Sequence, residues 1–351
     1  MRKRTALLLL AAGLLAGACT GGAPEPDSAP PAENVGTGAQ SVVVPSEPDP
    51  TLLPLAWFMA RQSDPGDAII DDAVDHLIAR CMAERGFQVP EYPKHDHAQS
   101  LRYWYGLVKL EEALADGYTG IDAAARAGAA LAEATPSDEE AGEAISPDPA
   151  RREAYLAALH GTEEDVIRVA LVDPITGEHR GTVGLGGGCR GEAREAVFGG
   201  VDKYLAHQRT MTWLQRAVWD IRIAADNLEA TREAAQAWLE CMTDHGFPPD
   251  HRFWPFDVNL AGNGEVNFLG ALPTIGPDWQ ALPEPRPSPE EIEMAVADVT
   301  CKEESGWTML VFTAEYRRQD ELAAAAAEFI RQGQKIRAEA VERARTILAE
   351  G

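Results

Sequence analysis

Two stretches of the sequence, Cys81-Met82-Ala83-Glu84-Arg85-Gly86-Phe87 and Cys241-Met242-Thr243-Asp244-His245-Gly246-Phe247, share the pattern Cys-Met-x-x-x-Gly-Phe. Each follows a run whose apolar residues recur every three or four positions, which predicts one buried face of an α-helix. The glycine then stands where a helix takes a left-handed C-terminal cap, and the phenylalanine can pack back on the last turn. Both stretches therefore predict the end of an amphipathic helix that carries a cysteine.

A second pattern, Cys-basic-x-Glu, also occurs twice and in the same order along the chain. Its copies are Cys189-Arg190-Gly191-Glu192 and Cys301-Lys302-Glu303-Glu304. Ser288 and Pro289 begin the helix of the second copy, because serine caps a helix and proline fits its first turn. The repetition predicts a mainly α-helical, disulfide-stapled fold of two diverged modules, residues 51–200 and 201–351.

The four cysteines of these patterns allow three pairings. The repeat favours pairing within each module, Cys81 with Cys189 and Cys241 with Cys301, and the other two pairings stay open. Zinc is the competing interpretation, but no two cysteines stand two to four residues apart, as they do in zinc-binding motifs. We therefore expect two structural disulfides and no metal site.

The remaining chain shows helical periodicity in most places. A β-hairpin is expected where two β-branched runs flank Asp173-Pro174-Ile175-Thr176-Gly177, and residues 119–150 read as an Ala/Glu/Pro-rich insertion. Helices are expected over residues 101–117, 151–160, 201–244 with a break near Asp226-Asn227, and about 308–348, the last being a long C-terminal helix.

The N-terminus has the pattern of an export signal. Basic residues at positions 2–4 precede an uncharged run that is too short to span a bilayer, so residues 1–18 are expected to be a signal peptide. Cys19 follows small residues, as in a bacterial lipobox, although Ala16 stands where leucine is usual. Lipidation of Cys19 would leave an even number of cysteines, whereas Ala16-Gly17-Ala18 also fits ordinary cleavage and secretion.

Residues 19–50 are expected to form a disordered tether, because they are rich in proline and acidic residues and contain no lysine or arginine. A lipid on Cys19 would make the membrane a partner and place the body of the chain on the extracellular face of the cell membrane. Plain secretion is the alternative.

The charge of the chain excludes one class of partner. With 31 Lys and Arg against 56 Asp and Glu, the formal net charge is −25. Nucleic-acid binding needs clustered cations that neutralise phosphates, so we expect no nucleic-acid partner. Hydrophobic residues make up 45% of the chain, which is enough for a packed core.

No motif in the sequence nominates a catalytic residue, a cofactor or a metal ligand, since the common nucleophile, zincin and phosphate-loop patterns are absent. His245 is interpreted as a cation at a helix C-terminus, where the backbone dipole favours it. Three aromatic residues remain candidate ligand contacts: Trp104 and Tyr105, which follow the first copy of Cys-Met-x-x-x-Gly-Phe, and Trp254, which follows the second. On a cleft wall they would stack on sugars or grip apolar side chains, and otherwise they pack as core.

The repeated motifs resemble a group of secreted or lipid-anchored proteins from actinobacteria. The likeness covers most of residues 68–330 and includes the Gly187-Gly188-Cys189 junction. It also includes Tyr155-Leu156-x-x-Leu159-x-Gly161 and Ala295-Val296-Ala297-Asp298-Val299-x-Cys301-Lys302. This resemblance implies an exported location and disulfides, without a reaction.

Together these patterns predict a cell-envelope lipoprotein that acts as a non-enzymatic interaction or structural module. Its expected partner is an envelope protein or the cell wall. The alternative is an extracellular ligand-binding protein or hydrolase with a cleft between the two modules.

Overall fold

The structure, a computed structural model, describes residues 43–60, 64–89, 101, 104–118, 148–248, 259–260, 266–267 and 287–350. Several sequence predictions fall outside the described residues: the signal peptide 1–18, Cys19, residues 19–42 of the tether, most of the insertion and Trp254. The described residues group into one compact unit by their contacts. The predicted division at residue 200 stays a prediction.

The predicted helix-rich fold with a small β-hairpin and a long C-terminal helix is confirmed. The helices are α1 (Ala56–Met59), α2 (Pro65–Glu84), α3 (Leu110–Asp116), α4 (Pro149–His160), α5 (Gly188–Phe198), α6 (Val201–Asp226), α7 (Glu229–Asp244), α8 (Pro289–Ser305), α9 (Trp307–Ala325) and α10 (Ala327–Glu350). The strands are β1 (Ile167–Val172), β2 (His179–Leu185), β3 (Asn259–Leu260) and β4 (Val266–Asn267).

The two copies of Cys-Met-x-x-x-Gly-Phe have the same local structure. In the first, Phe87 N donates to Met82 O at 2.9 Å while Gly86 has a φ of 81°. In the second, Phe247 N donates to Met242 O at 2.9 Å. This hydrogen bond, which spans the capping glycine, defines the Schellman helix end that the sequence predicted.

Each repeated cysteine-bearing helix packs against the helix that carries its partner cysteine, so α2 lies against α5 and α7 lies against α8. Met82 and Met242 are both fully buried in the cores that these pairs form. The repeat in the sequence therefore corresponds to a repeat in packing. The hairpin β1–β2 is antiparallel and lies against α6.

The C-terminal region differs in one respect from the single helix expected over residues 308–348. Ala326, with a φ of −107° and a ψ of 19°, divides it into α9 and α10. The break lets α9 pack on α6 and α7, while α10 packs on α2, α5 and α6. The last helix therefore shares a core with the first half of the chain, in which Ala340 and Ala344 are fully buried.

The helix expected over residues 101–117 is wrong for its first half. Within the described part of that segment, only α3 is helical. Gly106 has a φ of 71°, which lies outside the helical region. The preceding aromatic side chains, Trp104 and Tyr105, make long-range contacts described below, and tertiary contacts of this kind override helix propensity.

The glycine run before α5 permits a close approach between two backbone segments. Gly188 has a φ of 61°, and a Cβ atom there would crowd Gly161 N and lie 2.7 Å from Ala158 O. A side chain at this position would therefore strike the end of α4. The run lets the chain turn from β2 into α5, which sets the position of Cys189.

Among the described residues, no helix combines the length and the apolar character that a bilayer span requires.

Candidate functional site

The described cysteines form two disulfides, Cys81–Cys189 and Cys241–Cys301, each with a Cα–Cα distance of 5.6 Å. The predicted pairing within modules is therefore confirmed. In each bridge the first cysteine lies in the last turn of its helix, whereas Cys189 lies at the start of α5 and Cys301 lies near the end of α8. Cys189 and Cys301 are fully buried, whereas Cys81 and Cys241 are partly exposed.

A carboxylate lies against the more exposed sulfur of each bridge. Glu192 Oε2 is 3.4 Å from Cys81 Sγ, and Glu304 Oε2 is 3.6 Å from Cys241 Sγ. A disulfide sulfur carries no proton, so these are contacts rather than hydrogen bonds. The glutamate of the repeated Cys-basic-x-Glu pattern therefore has the same position in both modules.

The residue four positions after the first cysteine differs between the copies. Arg85 Nη2 lies 2.6 Å from Glu192 Oε1, and Arg85 Nη1 donates to Ala158 O at 3.1 Å. His245 takes the equivalent place in the second copy. One of its ring nitrogens and the sulfurs of Cys241 and Cys301 all lie within 4.8 Å of one another.

Of the three candidate ligand-contact aromatics, the structure brings two together in the interior. Tyr105 is buried, and its hydroxyl donates to Glu315 Oε2 at 2.5 Å. Trp104, which is half-buried, donates from Nε1 to the same oxygen at 3.1 Å. Glu315 is fully buried. The core interpretation of Trp104 and Tyr105 describes this arrangement better than a cleft wall does.

Arg222 completes this first buried polar cluster. Its Nε donates to Asp226 Oδ2 at 3.0 Å, and its Nη1 lies 3.4 Å from Glu315 Oε1. The guanidinium also lies 5.0 Å from the centre of the Tyr105 ring, within range of a cation–π interaction. Burial raises the pKa values of Asp226 and Glu315, while the Arg222 charge opposes that rise.

A second buried ion pair, Asp298 with Lys302, lies one turn apart on α8. Lys302 Nζ is 2.8 Å from Asp298 Oδ2 and also donates to Leu107 O at 3.1 Å. Trp238 Nε1 donates to Asp298 Oδ1 at 3.0 Å. Burial raises the pKa of the Asp298 carboxyl, and the Lys302 ammonium opposes the shift. The pair connects α7 and α8 to the segment before α3.

Trp307, the first residue of α9, lies between the two clusters. The centre of its ring is 6.0 Å from Arg222 Cζ and 5.9 Å from Lys302 Nζ. Both cations are therefore near one aromatic ring that is itself buried. The side chains connect α6, α7, α8 and α9 with residues 104–107, and a buried network of this kind stabilises one packing arrangement.

Sequence reasoning missed both clusters. The only signal is the spacing of four residues between Arg222 and Asp226 and between Asp298 and Lys302, which places each pair on one helix face. The same spacing is common on exposed faces. In a chain with 56 acidic residues, it does not separate a buried pair from an exposed one.

A surface depression between α1 and α10 is another candidate ligand site. Its lining includes Trp57, Asp64 and Arg337. The Arg337 guanidinium already contacts two carboxylates, at 2.7 Å from Asp64 Oδ1 and 2.6 Å from Asp67 Oδ1. These carboxylates neutralise the cation, which disfavours an anionic ligand there.

No protein-family model, no curated protein and no solved structure matches this chain. The inference of function therefore depends on the residues and their geometry.

Proposed function

We propose that this chain is a lipid-anchored protein of the cell envelope that acts as a rigid, non-enzymatic interaction module. The observation that carries the proposal is the use of all four cysteines of the folded body in two intramolecular disulfides. Such bridges form and persist in oxidising compartments outside the cytoplasm. The two bridges use four of the five cysteines in the sequence, and the fifth, Cys19, is the residue to which we assign the lipid.

Rigidity is the second support for an interaction role. Each disulfide connects two helices within its own half of the sequence. The buried clusters around Glu315 and Asp298 connect helices of the second half with residues 104–107 of the first half. Pre-organised surfaces lose less conformational entropy on binding. The exposed side chains of Leu114 and Trp219 supply apolar contact area of the kind that interaction surfaces use.

The location is tested by expressing the full chain and a Cys19→Ala variant in a Gram-positive host that is fed an alkyne-bearing fatty acid. We expect the wild type to carry the lipid in the membrane fraction and the variant to be unlabelled and released. An unlabelled wild type in the medium would support the secreted alternative. Recovery of four free thiols from cytoplasmic protein would overturn export altogether.

The interaction role is tested with a photo-crosslinking amino acid at Leu114 or Trp219 on intact cells. The matched control carries it at Trp238, whose side chain is 1% exposed. We expect a discrete adduct with one envelope protein or with the wall from an exposed position and none from the control. The absence of adducts from both exposed positions, or hydrolysis of purified wall by the chain, would contradict the proposal.

A further inference from the structure

We propose that Cys241, His245, Cys301 and Glu304 form a redox-gated Zn²⁺ site, closed by the Cys241–Cys301 disulfide and opened when a dithiol reduces it. The inference goes beyond the envelope role. It depends on the difference between the two copies of the repeat.

The side chains lie at two helix ends, where both sulfurs and the histidine nitrogen converge and Glu304 adjoins Cys241. Cys241 and His245 lie one turn apart where α7 ends, and Cys301 and Glu304 lie one turn apart on α8. The histidine nitrogen and both sulfurs are within 4.8 Å of one another, and a Glu304 oxygen is 3.6 Å from Cys241 Sγ. Two sulfurs, one imidazole nitrogen and one carboxylate oxygen make a donor set that suits tetrahedral Zn²⁺.

Reduction is the step that makes the sulfurs available. A dithiol attacks the disulfide and leaves as a cyclic disulfide, so its two thiols are oxidised while Cys241 and Cys301 gain two electrons and two protons. Zn²⁺ then displaces both protons, because thiolate rather than thiol binds the ion. The electrons and atoms balance without another reactant.

The two sulfurs need only a small adjustment to bind one ion together. Bonded sulfurs are about 2 Å apart, whereas two thiolates on one tetrahedral Zn²⁺ lie about 3.8 Å apart, given Zn–S bonds of about 2.3 Å. The packed helices α7 and α8 keep the two Cα atoms 5.6 Å apart. Rotation of the cysteine side chains would supply the remaining movement. His245 and Glu304 are exposed, which gives the reductant and the ion access.

The first copy of the repeat provides an internal control. Cys81, Cys189 and Glu192 have the same arrangement, but Arg85 occupies the place of His245. A guanidinium offers no lone pair, and its positive charge repels a cation. It also forms an ion pair with Glu192 at 2.6 Å. The first bridge therefore should not yield a metal site when it is reduced.

The test reduces the full chain with a water-soluble phosphine, which takes one oxygen from water as it becomes the phosphine oxide. After removal of the phosphine without oxygen, Co²⁺ is added as a spectroscopic probe and Zn²⁺ affinity is measured by competition with a chromogenic chelator. We expect one ion per chain with the visible absorption of a tetrahedral cobalt–thiolate centre. The oxidised chain should show none.

Two substitutions test whether Zn²⁺ binding depends on the histidine of the second copy. His245→Arg should weaken Zn²⁺ binding by at least about tenfold, whereas Arg85→His should create a second equivalent site. Far-UV circular dichroism of each reduced chain checks that the helices persist. The proposal is overturned if His245→Arg binds as tightly as the wild type, or if the oxidised chain binds equally. It also fails if the reduced wild type binds no ion or has lost its helices.

Discussion

The Tyr105 hydroxyl lies 2.5 Å from Glu315 Oε2, and this hydrogen bond connects the irregular segment before α3 to the middle of α9. Both side chains are buried. A buried carboxylate is stable only where donors compensate for the loss of water. The phenol therefore contributes to folding as a partner of Glu315, and burial together with that carboxylate raises the pKa of Tyr105 well above its usual value.

Substitution Tyr105→Phe should lower the free energy of unfolding by about 1.5–3 kcal/mol, the range for a hydrogen bond to a charged group. Chemical denaturation at pH 7 measures the change. Tyr316→Phe is the matched control, since it removes a hydroxyl from the residue next to Glu315 on α9. An equal loss in both variants would show that the contact with Glu315 has no special importance.

Substitution Arg222→Met should be more damaging, because it leaves Asp226 and Glu315 buried without their cation. We expect a loss of about 3–5 kcal/mol at pH 7, as for a buried ion pair that loses one partner. The loss should shrink as the pH falls. Burial already raises both carboxyl pKa values, so protonation then removes the unpaired charge.

Denaturation at pH 5 and pH 7 tests this pH dependence. The control is Arg331→Met, which removes an exposed ion pair with Glu328 and should change stability by at most about 1 kcal/mol at either pH. A loss from Arg222→Met that is the same at both pH values would contradict the electrostatic explanation.

The disulfide pairing could be predicted from the sequence, because the repeated patterns mark both helix ends that meet. The buried clusters could not. Arg222 and Glu315 are distant in sequence and belong to different helices, and their proximity depends on how α6 packs on α9. The helix predicted for the first half of residues 101–117 was wrong for a similar reason. Trp104 and Tyr105 form hydrogen bonds with Glu315, which is also distant in sequence. The sequence shows that Arg85 and His245 differ at equivalent positions of the repeat. Only the structure shows that His245 lies beside the sulfurs of Cys241 and Cys301.

Asp71 on α2 should make stability depend on pH in the acidic range. Its pKa is raised to about 6, first by partial burial and then by Asp67, Asp75 and Asp72, with Arg194 opposing. A folded-state pKa above the unfolded value means that the contribution of Asp71 to stability is most favourable below pH 3.8 and declines as the pH rises through about 6. Asp71→Asn should therefore stabilise the chain at pH 7 and have no effect near pH 3.5.

Because a large part of the Asp71 side chain still contacts solvent on α2, solvent screens the repulsion, and the gain should not exceed about 1 kcal/mol. Urea denaturation at the two pH values measures it. Asp67→Asn is the opposing control, since the Asp67 carboxylate forms an ion pair with Arg337 Nε at 2.6 Å and removal of its charge should destabilise the chain. A gain at pH 3.5 equal to that at pH 7 would rule out the charge mechanism.

Alanine substitutions at Gly188 and Gly86 distinguish the cost of a left-handed backbone conformation from the cost of steric crowding. Both have positive φ, 61° and 81°, but a Cβ atom would meet the end of α4 at Gly188 and nothing within 4 Å at Gly86. Gly86→Ala should cost about 1–2 kcal/mol, the penalty for a left-handed non-glycine residue. Gly188→Ala should cost more, because the backbone around Ala158 must also move. Thermal and urea unfolding of both variants, with the disulfides intact, measures the difference, and equal losses would show that the close approach at Gly188 adds nothing to the conformational requirement.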